Sequence, residues 1–195
     1  MNIGKTVRRL TVVKINLNYM RIVETERLYL REITVQDSEN AYLLNLDPEV
    51  IKYTGDSSFT SIDEAKTFLK NYTHYKKYGF GRWGVIHKTN NEFLGWCGLK
   101  YTEEDKEYDI GFRFFRKHWN KCYAFESATA WLELGFSKYG MSTIVGRAMK
   151  ENIASIKVLQ KIGLTFYKDF DFNGQKGVIY KIERDELNST PVYSF

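Results

Sequence analysis

Residues 107–164 read EYDIGFRFFRKHWNKCYAFESATAWLELGFSKYGMSTIVGRAMKENIASIKVLQKIGL. An alternating segment, Tyr108 to Phe114, has the period of a strand. A short basic loop follows, and from Tyr123 a mostly apolar pattern at helical spacing runs to Tyr139 and stops at Gly140. Thr143 to Met149 reads as a buried strand, and Ala154 to Ile162 as a second helix closed by Gly163. Strand, basic loop and helix in succession make an anion site, because the first amides of a helix have no partner inside it and carry partial positive charge. A diphosphate is the kind of group such a loop holds.

Outward from this stretch, the pattern stays that of one mixed α/β domain. Upstream, residues 22–33 alternate as a strand. Thr34 opens a capped helix that ends before Pro48, and a short turn follows around Val50 and Ile51. Ser61 caps a helix expected to run through Tyr75 to Gly79. Residues 82–87 and 93–101 form a hairpin about Lys88–Asn91, and the next strand completes an antiparallel start. Downstream, residues 164–172 and 177–183 read as a closing hairpin around Asn173-Gly174. Strand–helix–strand order in the second half implies a parallel contact there.

Several segments together resemble the GCN5-related N-acetyltransferases, closest to the ribosomal-protein alanine acetyltransferase type. They are Thr25-Glu26-Arg27-Leu28-Tyr29-Leu30-Arg31, Phe93-Leu94-Gly95-Trp96-Cys97-Gly98-Leu99, Trp119-Asn120-Lys121-Cys122-Tyr123-Ala124-Phe125-Glu126, Asn152-Ile153-Ala154-Ser155 and Lys161-Ile162-Gly163-Leu164. The resemblance implies a single-domain α/β fold, its mixed central sheet splayed between residues 108–114 and 143–149 around a cofactor cleft and flanked by helices. It implies direct acetyl transfer from acetyl-CoA, as co-substrate and without metal, to a primary amine on a protein N-terminus or a small molecule. The backbone of Phe112, Arg113 and Phe114 would meet the pantetheine. The loop Lys117, His118, Trp119, Asn120, Lys121, Cys122, Tyr123 and Ala124 would meet the diphosphate. Asn152 and Ser155 would lie beside the sulfur.

Acetyl transfer needs an acceptor for the amine proton, stabilisation of the thioester oxygen and a donor for the leaving thiolate. Asp109, on the strand before the loop, is the candidate base; a solvent-facing strand carboxylate explains it equally. Asn152 and Ser155 are the other catalytic candidates, and they also read as a helix N-cap and its first turn. Tyr123 and Tyr167 are candidate acids. Tyr42, Tyr53, Phe59 and Tyr72 would line an acceptor pocket or belong to the core.

The loop departs from the family at two points. Where the family has Trp-Gly-Lys-Gly-Tyr-Ala, this chain has Asn120 and Cys122 in place of the glycines. Glycine permits positive φ and close approach of amides to phosphate. Asn tolerates the left-handed region, whereas Cys122 fits only if its φ is negative. The departure opens a second reading, a catalytically weak or inactive binding or regulatory protein on the same fold. Cys122 beside Lys121 is also a candidate reactive thiol, against the plainer reading of a substitution in a diverged relative.

Composition narrows the rest. The chain has 195 residues and a net charge of +5. Lys5, Arg8, Arg9, Lys14 and Arg21 all precede the first acid, Glu24. Taking those five from the 29 Lys and Arg leaves 24, matched by 24 Asp and Glu, so the domain is not a uniformly basic nucleic-acid binder. A ribosome-associated role rests on that arm alone. Two cysteines make no disulfide framework, and a reducing cytoplasm is expected. No apolar run is long enough to span a membrane, and the histidines His74, His87 and His118 have no metal-ligand spacing. The chain is expected to divide into a basic extension over 1–19, dispensable for folding, a domain over 20–187 and a loose tail over 188–195. It leaves monomer and homodimer open.

Overall fold

The structure, a computed structural model, describes residues 22–172 and 174–187. The basic extension, the tail and Asn173 of the last hairpin turn lie outside the described residues. Eight strands form one sheet in the order β1-β2-β3-β4-β5-β6-β8-β7. They are β1 (Val23–Glu24), β2 (Leu28–Arg31), β3 (Arg82–His87), β4 (Phe93–Thr102), β5 (Glu107–Phe114), β6 (Thr143–Met149), β7 (Thr165–Phe172) and β8 (Gln175–Glu183). β5 and β6 run parallel and every other neighbouring pair is antiparallel.

The helices are α1 (Ser38–Leu46), α2 (Pro48–Ile51), α3 (Ile62–Lys70), α4 (His74–Tyr78), α5 (Tyr123–Ser137), α6 (Ile153–Lys161) and α7 (Arg184–Leu187). α5 lies on the sheet and carries the core with it. Trp131 is fully buried against Trp83 of β3, ring centroids 4.3 Å apart, and its indole N–H donates to Cys97 O at 3.0 Å. That bond satisfies the polar atom of a large side chain that would otherwise be costly to bury.

Two elements differ from the sequence expectation. The first strand is broken at Thr25–Arg27 into a tight hairpin, closed by Thr25 N donating to Leu28 O at 2.9 Å. The helix expected from Ser61 to Gly79 is two helices with a break at residues 71–73. The break turns two tyrosines toward one residue: Tyr72 Oη accepts from Arg82 N at 2.8 Å and Tyr75 Oη donates to Arg82 O. Tertiary hydrogen bonds override the helical period there. Thr34 caps a single 3-10 turn, Val35–Asp37, that leads into α1, through a capping box with Asp37, and Asp37 also takes a two-pronged pairing from Arg31 at 2.7 and 2.8 Å.

The splay decides where the site lies. Among the described residues β5 and β6 pair only at Asp109 opposite Val145. Beyond that point the space between β5 and α6 is an open groove.

Candidate active site

The groove encloses about 580 Å³. One bank is Phe112, Arg113 and Phe114, on the edge of β5 that faces no strand beyond Asp109. The other bank is α6, with Asn152, Ser155, Lys157 and Lys161. Asn152 caps this helix, its Oδ1 accepting from Ser155 N at 3.1 Å. The end of the groove is built by His118 through Phe125.

That end is the N-terminus of α5. Its N-cap, Cys122, provides no side-chain hydrogen bond, so the amides of the first turn are not taken up by the cap. Asn120 has φ 59° and Cys122 φ 61°. Both positions where glycine was expected therefore adopt the left-handed conformation, and Cys122 does so without the local hydrogen bonding that eases Asn. The backbone keeps the shape a glycine loop would have, at a cost of order 1–3 kcal/mol at a strained residue.

Two of the basic loop residues are drawn to Glu92. Lys117 does not line the groove; its ammonium lies 2.7 Å from Glu92. His118 lines the groove but is buried beside Glu92, and burial lowers its pKa despite the carboxylate. Trp119 is a strut as well as lining, its indole N–H donating to Phe114 O at 2.8 Å. Lys121 lines the groove as expected.

A clamp that sequence reasoning missed holds this loop. Glu126, in the first turn of α5, accepts from Thr25 Oγ1 at 2.5 Å, from Arg27 N at 3.0 Å and from Arg27 Nε at 2.7 Å. Arg27 Nη2 also donates to Lys121 O at 3.1 Å, and its guanidinium stands 4.6 Å over the Tyr123 ring. Burial alone would raise the Glu126 pKa. The hydrogen bonds from Thr25 and Arg27 outweigh it and leave the carboxyl below its ordinary value.

Past Ser155 the groove meets a second space of about 410 Å³, lined by Arg82, Trp96, Asp109, Arg113, Arg147, Asn152 and Ser155. Asp109 is not solvent-facing. Arg82 reaches across Gly111, where a Cβ would come within 2.6 Å of Arg82 Nη1, and its Nη2 donates to Asp109 Oδ2 at 2.5 Å. Arg147 Nη1 lies 3.5 Å from Asp109 Oδ1 and its Nη2 donates to Glu107. This ladder of charges crosses β3, β5 and β6. Asp109 Oδ1 is nonetheless buried without a hydrogen-bond partner, an unusual state for a carboxylate oxygen.

A third cavity of about 250 Å³ opens from this junction, sharing Asp56, Arg82, Trp96 and Arg113 with it. Phe59 and Tyr72 line it, and Tyr53 lines the junction and groove; Tyr42 lines none of the three. Tyr167 lies away on β7, half exposed among Lys168 and Lys181. Arg113 lines all three spaces and is anchored by Asn45 and by Asp56, the latter at 2.5 Å. Arg82 and Arg113, absent from the acid–base roles drawn from sequence, both stand over the Trp96 ring at 5.4 and 5.3 Å.

A groove ending on an uncapped helix, joined to an inner pocket through a buried carboxylate, fits transfer between two substrates. A family model described as an acetyltransferase (GNAT) domain matches residues 27–165. The chain belongs to the GNAT acetyltransferase family. As a GNAT protein it is an N-acetyltransferase. It is similar to the N-acetyltransferase p20 of Bacillus licheniformis, at 28% identity over 178 residues, 90% of this chain and 95% of that protein. It is also similar to the FsC-acetyl coenzyme A-N(2)-transacetylase of Aspergillus fumigatus, at 31% identity over 159 residues, 76% of this chain and 66% of that protein. A solved GNAT acetyltransferase from Bacillus anthracis superposes with a TM-score of 0.74 at 27% identity, covering 84% of this chain and 99% of that one. Among the described residues no helix is long and apolar enough to cross a membrane.

Proposed function

We propose that this GNAT protein transfers the acetyl group of acetyl-CoA directly to a primary amine, with the cofactor in the groove between β5 and α6. One observation carries the reading: the groove ends on the uncapped N-terminus of α5 at one side and opens at Ser155 into a junction with an inner cavity. The first amides of α5, with Lys121, suit a diphosphate. The unpaired edge of β5 from Phe112 to Phe114 offers backbone groups to pantetheine amides.

When bound, acetyl-CoA supplies an activated acyl group. The chain's own residues do the rest. Asp109 Oδ1, buried and lacking a donor, accepts the amine proton directly or through one water. Arg82 and Arg147 hold that carboxylate in place. The Ser155 hydroxyl passes a proton to the leaving sulfur and takes one back from solvent, to which Asp109 releases the proton it took from the amine, and Asn152 fixes the start of the Ser155 helix. The motif order resembles the ribosomal-protein alanine acetyltransferase type, which supports a protein N-terminus as acceptor beside a small amine.

The strained Asn120 and Cys122 favour a second reading, a protein that grips acetyl-CoA weakly and serves mainly in binding or regulation. A thermal melt with and without acetyl-CoA, followed by product mass spectrometry on an amine panel, tests both. A rise in Tm with an acetylated product supports transfer. A rise without turnover supports the second reading, and no rise with an intact fold defeats both.

A further inference from the structure

The inner cavity beside the junction has walls of one chemical kind. Ile33, Ala41, Leu44, Phe59, Phe68 and Leu69 are among the residues that line it, and its lining surface is mainly apolar. Its charged, amide and tyrosine side chains are already committed to one another or to the backbone. Asp56 and Asn45 both hold Arg113. Arg82 is held by Gly98 O and Asp109. Tyr72 accepts from Arg82 N, and Tyr75 accepts from Ile33 N while donating to Arg82 O. Burial raises the pKa of both tyrosines, so their hydroxyls carry no charge.

Asp56 is the acid among the lining residues, and Arg113 occupies it at 2.5 Å. A second ammonium inside this cavity would lose its water with no counter-charge to meet it. At the mouth the rings of Phe59 and Phe68 stand 5.6 Å apart, with Phe68 54% exposed. A half-buried ring beside an exposed one, both lining an apolar cavity, marks where an apolar group enters.

The cavity also has a size. Its volume of about 250 Å³ exceeds the roughly 150 Å³ of a dry engineered cavity that takes up benzene. A phenyl ring on a short chain fits, as does a branched alkyl group. Trp96, Arg82 and Arg113 line both this cavity and the junction, so a tail seated inside sends its head group toward Asp109.

We propose that the acceptor is a primary amine on an uncharged apolar body, aryl-alkyl or branched alkyl, its tail in this cavity and its nitrogen in the junction. The proposal rests on the acetyl-transfer reading above and names the substrate class of that same site. It takes the acceptor to be a small amine and not a polar peptide or a polyamine.

The experiment uses the full chain with acetyl-CoA and four acceptors: 2-phenylethylamine, ethylamine, spermidine and an alanine-headed tripeptide. Product is read by mass, since the exposed Cys122 would react with a thiol reagent. The expected kcat/KM for 2-phenylethylamine is about tenfold or more above each of the others, the scale on which a hydrophobic pocket discriminates. A direct reading accompanies it: calorimetric binding of 2-phenylethylamine to the protein with CoA present, weakened in Ala41→Phe, which fills the cavity. The same variant should collapse the preference for 2-phenylethylamine over ethylamine. Preference for spermidine or the tripeptide, or equal rates for all four, overturns the inference while leaving acetyl transfer standing. Absence of acetyl-CoA binding by a folded protein overturns the acetyl-transfer reading and this inference with it. Unchanged 2-phenylethylamine binding in Ala41→Phe overturns the assignment of the tail to this cavity.

Discussion

Arg27 Nε donates to Glu126 Oε2 at 2.7 Å, joining residues 99 positions apart in the chain. The pair fixes the first turn of α5 to the turn between β1 and β2. Through Arg27 Nη2 on Lys121 O it also fixes the loop that ends the groove. Glu126→Ala is expected to lose several hydrogen bonds to charged groups, each worth about 1.5–3 kcal/mol, in part compensated by water. Denaturant unfolding should show a loss of about 2 kcal/mol or more, and acetyl-CoA affinity should fall with it. Unchanged affinity with lowered stability would separate the clamp from the cofactor.

The same carboxyl has a pH signature. Its folded pKa lies below its ordinary value of 4.5. Its contribution is therefore fully present above that ordinary value, and it is lost as pH falls through the lower folded value. Between about pH 5 and pH 3 the native protein should lose more stability than Glu126→Gln, which has no proton to gain. Parallel loss in the two proteins, measured by urea unfolding at each pH, would show that Glu126 titrates alike folded and unfolded.

Restoring glycine at residues 120 and 122 tests the loop. Both residues now stand at positive φ, so Asn120→Gly with Cys122→Gly should relieve about 1–2 kcal/mol of strain, more of it from Cys122. Added freedom of the unfolded chain offsets part of this. Acetyl-CoA should bind more tightly by calorimetry, and the variant should melt at the same temperature or higher. Weaker binding would mean that the Asn120 or Cys122 side chain itself contributes to the site.

Two substitutions divide the proposed proton transfers. Asp109→Asn should lower kcat/KM by about 10²-fold or more, the typical scale of general acid–base catalysis, while acetyl-CoA affinity and stability stay close to those of the parent. A fall in rate matched by a fall in stability and in acetyl-CoA affinity would assign Asp109 to holding Arg82 and Arg147. Ser155→Ala should leave acetyl-CoA affinity close to that of the parent and slow turnover; a matched fall in both would make Ser155 a binding residue.

Much of the fold was legible because period and punctuation agreed. β3 and β6 match their expected bounds, and Gly79, Gly140 and Gly163 each follow a helix in the left-handed conformation. The places that misled are those where distant atoms set local shape. No local pattern foretells that Tyr72 and Tyr75 must both reach the backbone of Arg82, so the helix break at 71–73 stayed hidden. Nor could spacing show that Lys117 would turn to Glu92, because two cations in one loop look alike until the strand beside them is placed. The loop residues, Asn152 and Ser155 could be picked out because their spacing is local. Arg82, Trp96 and Arg113 converge only by strand register, Trp96 opposite Arg113 and Arg82 opposite Gly98. The run Thr25-Glu26-Arg27 was noticed, and its purpose became visible only with Glu126 beside it.

Asp109 sits where the sheet's two halves meet, at the pairing with Val145 from which the cleft opens. One half carries β1 to β5 and the other β6 to β8, so a change of angle between them disturbs little backbone hydrogen bonding. Points on the groove walls move in proportion to their distance from that junction, and a residue at the fulcrum moves least. Any widening of the groove for a long ligand would therefore leave the carboxylate proposed to meet the amine in register with Arg82 and Arg147. Flexibility for entry and stillness for chemistry are thus apportioned by lever arm.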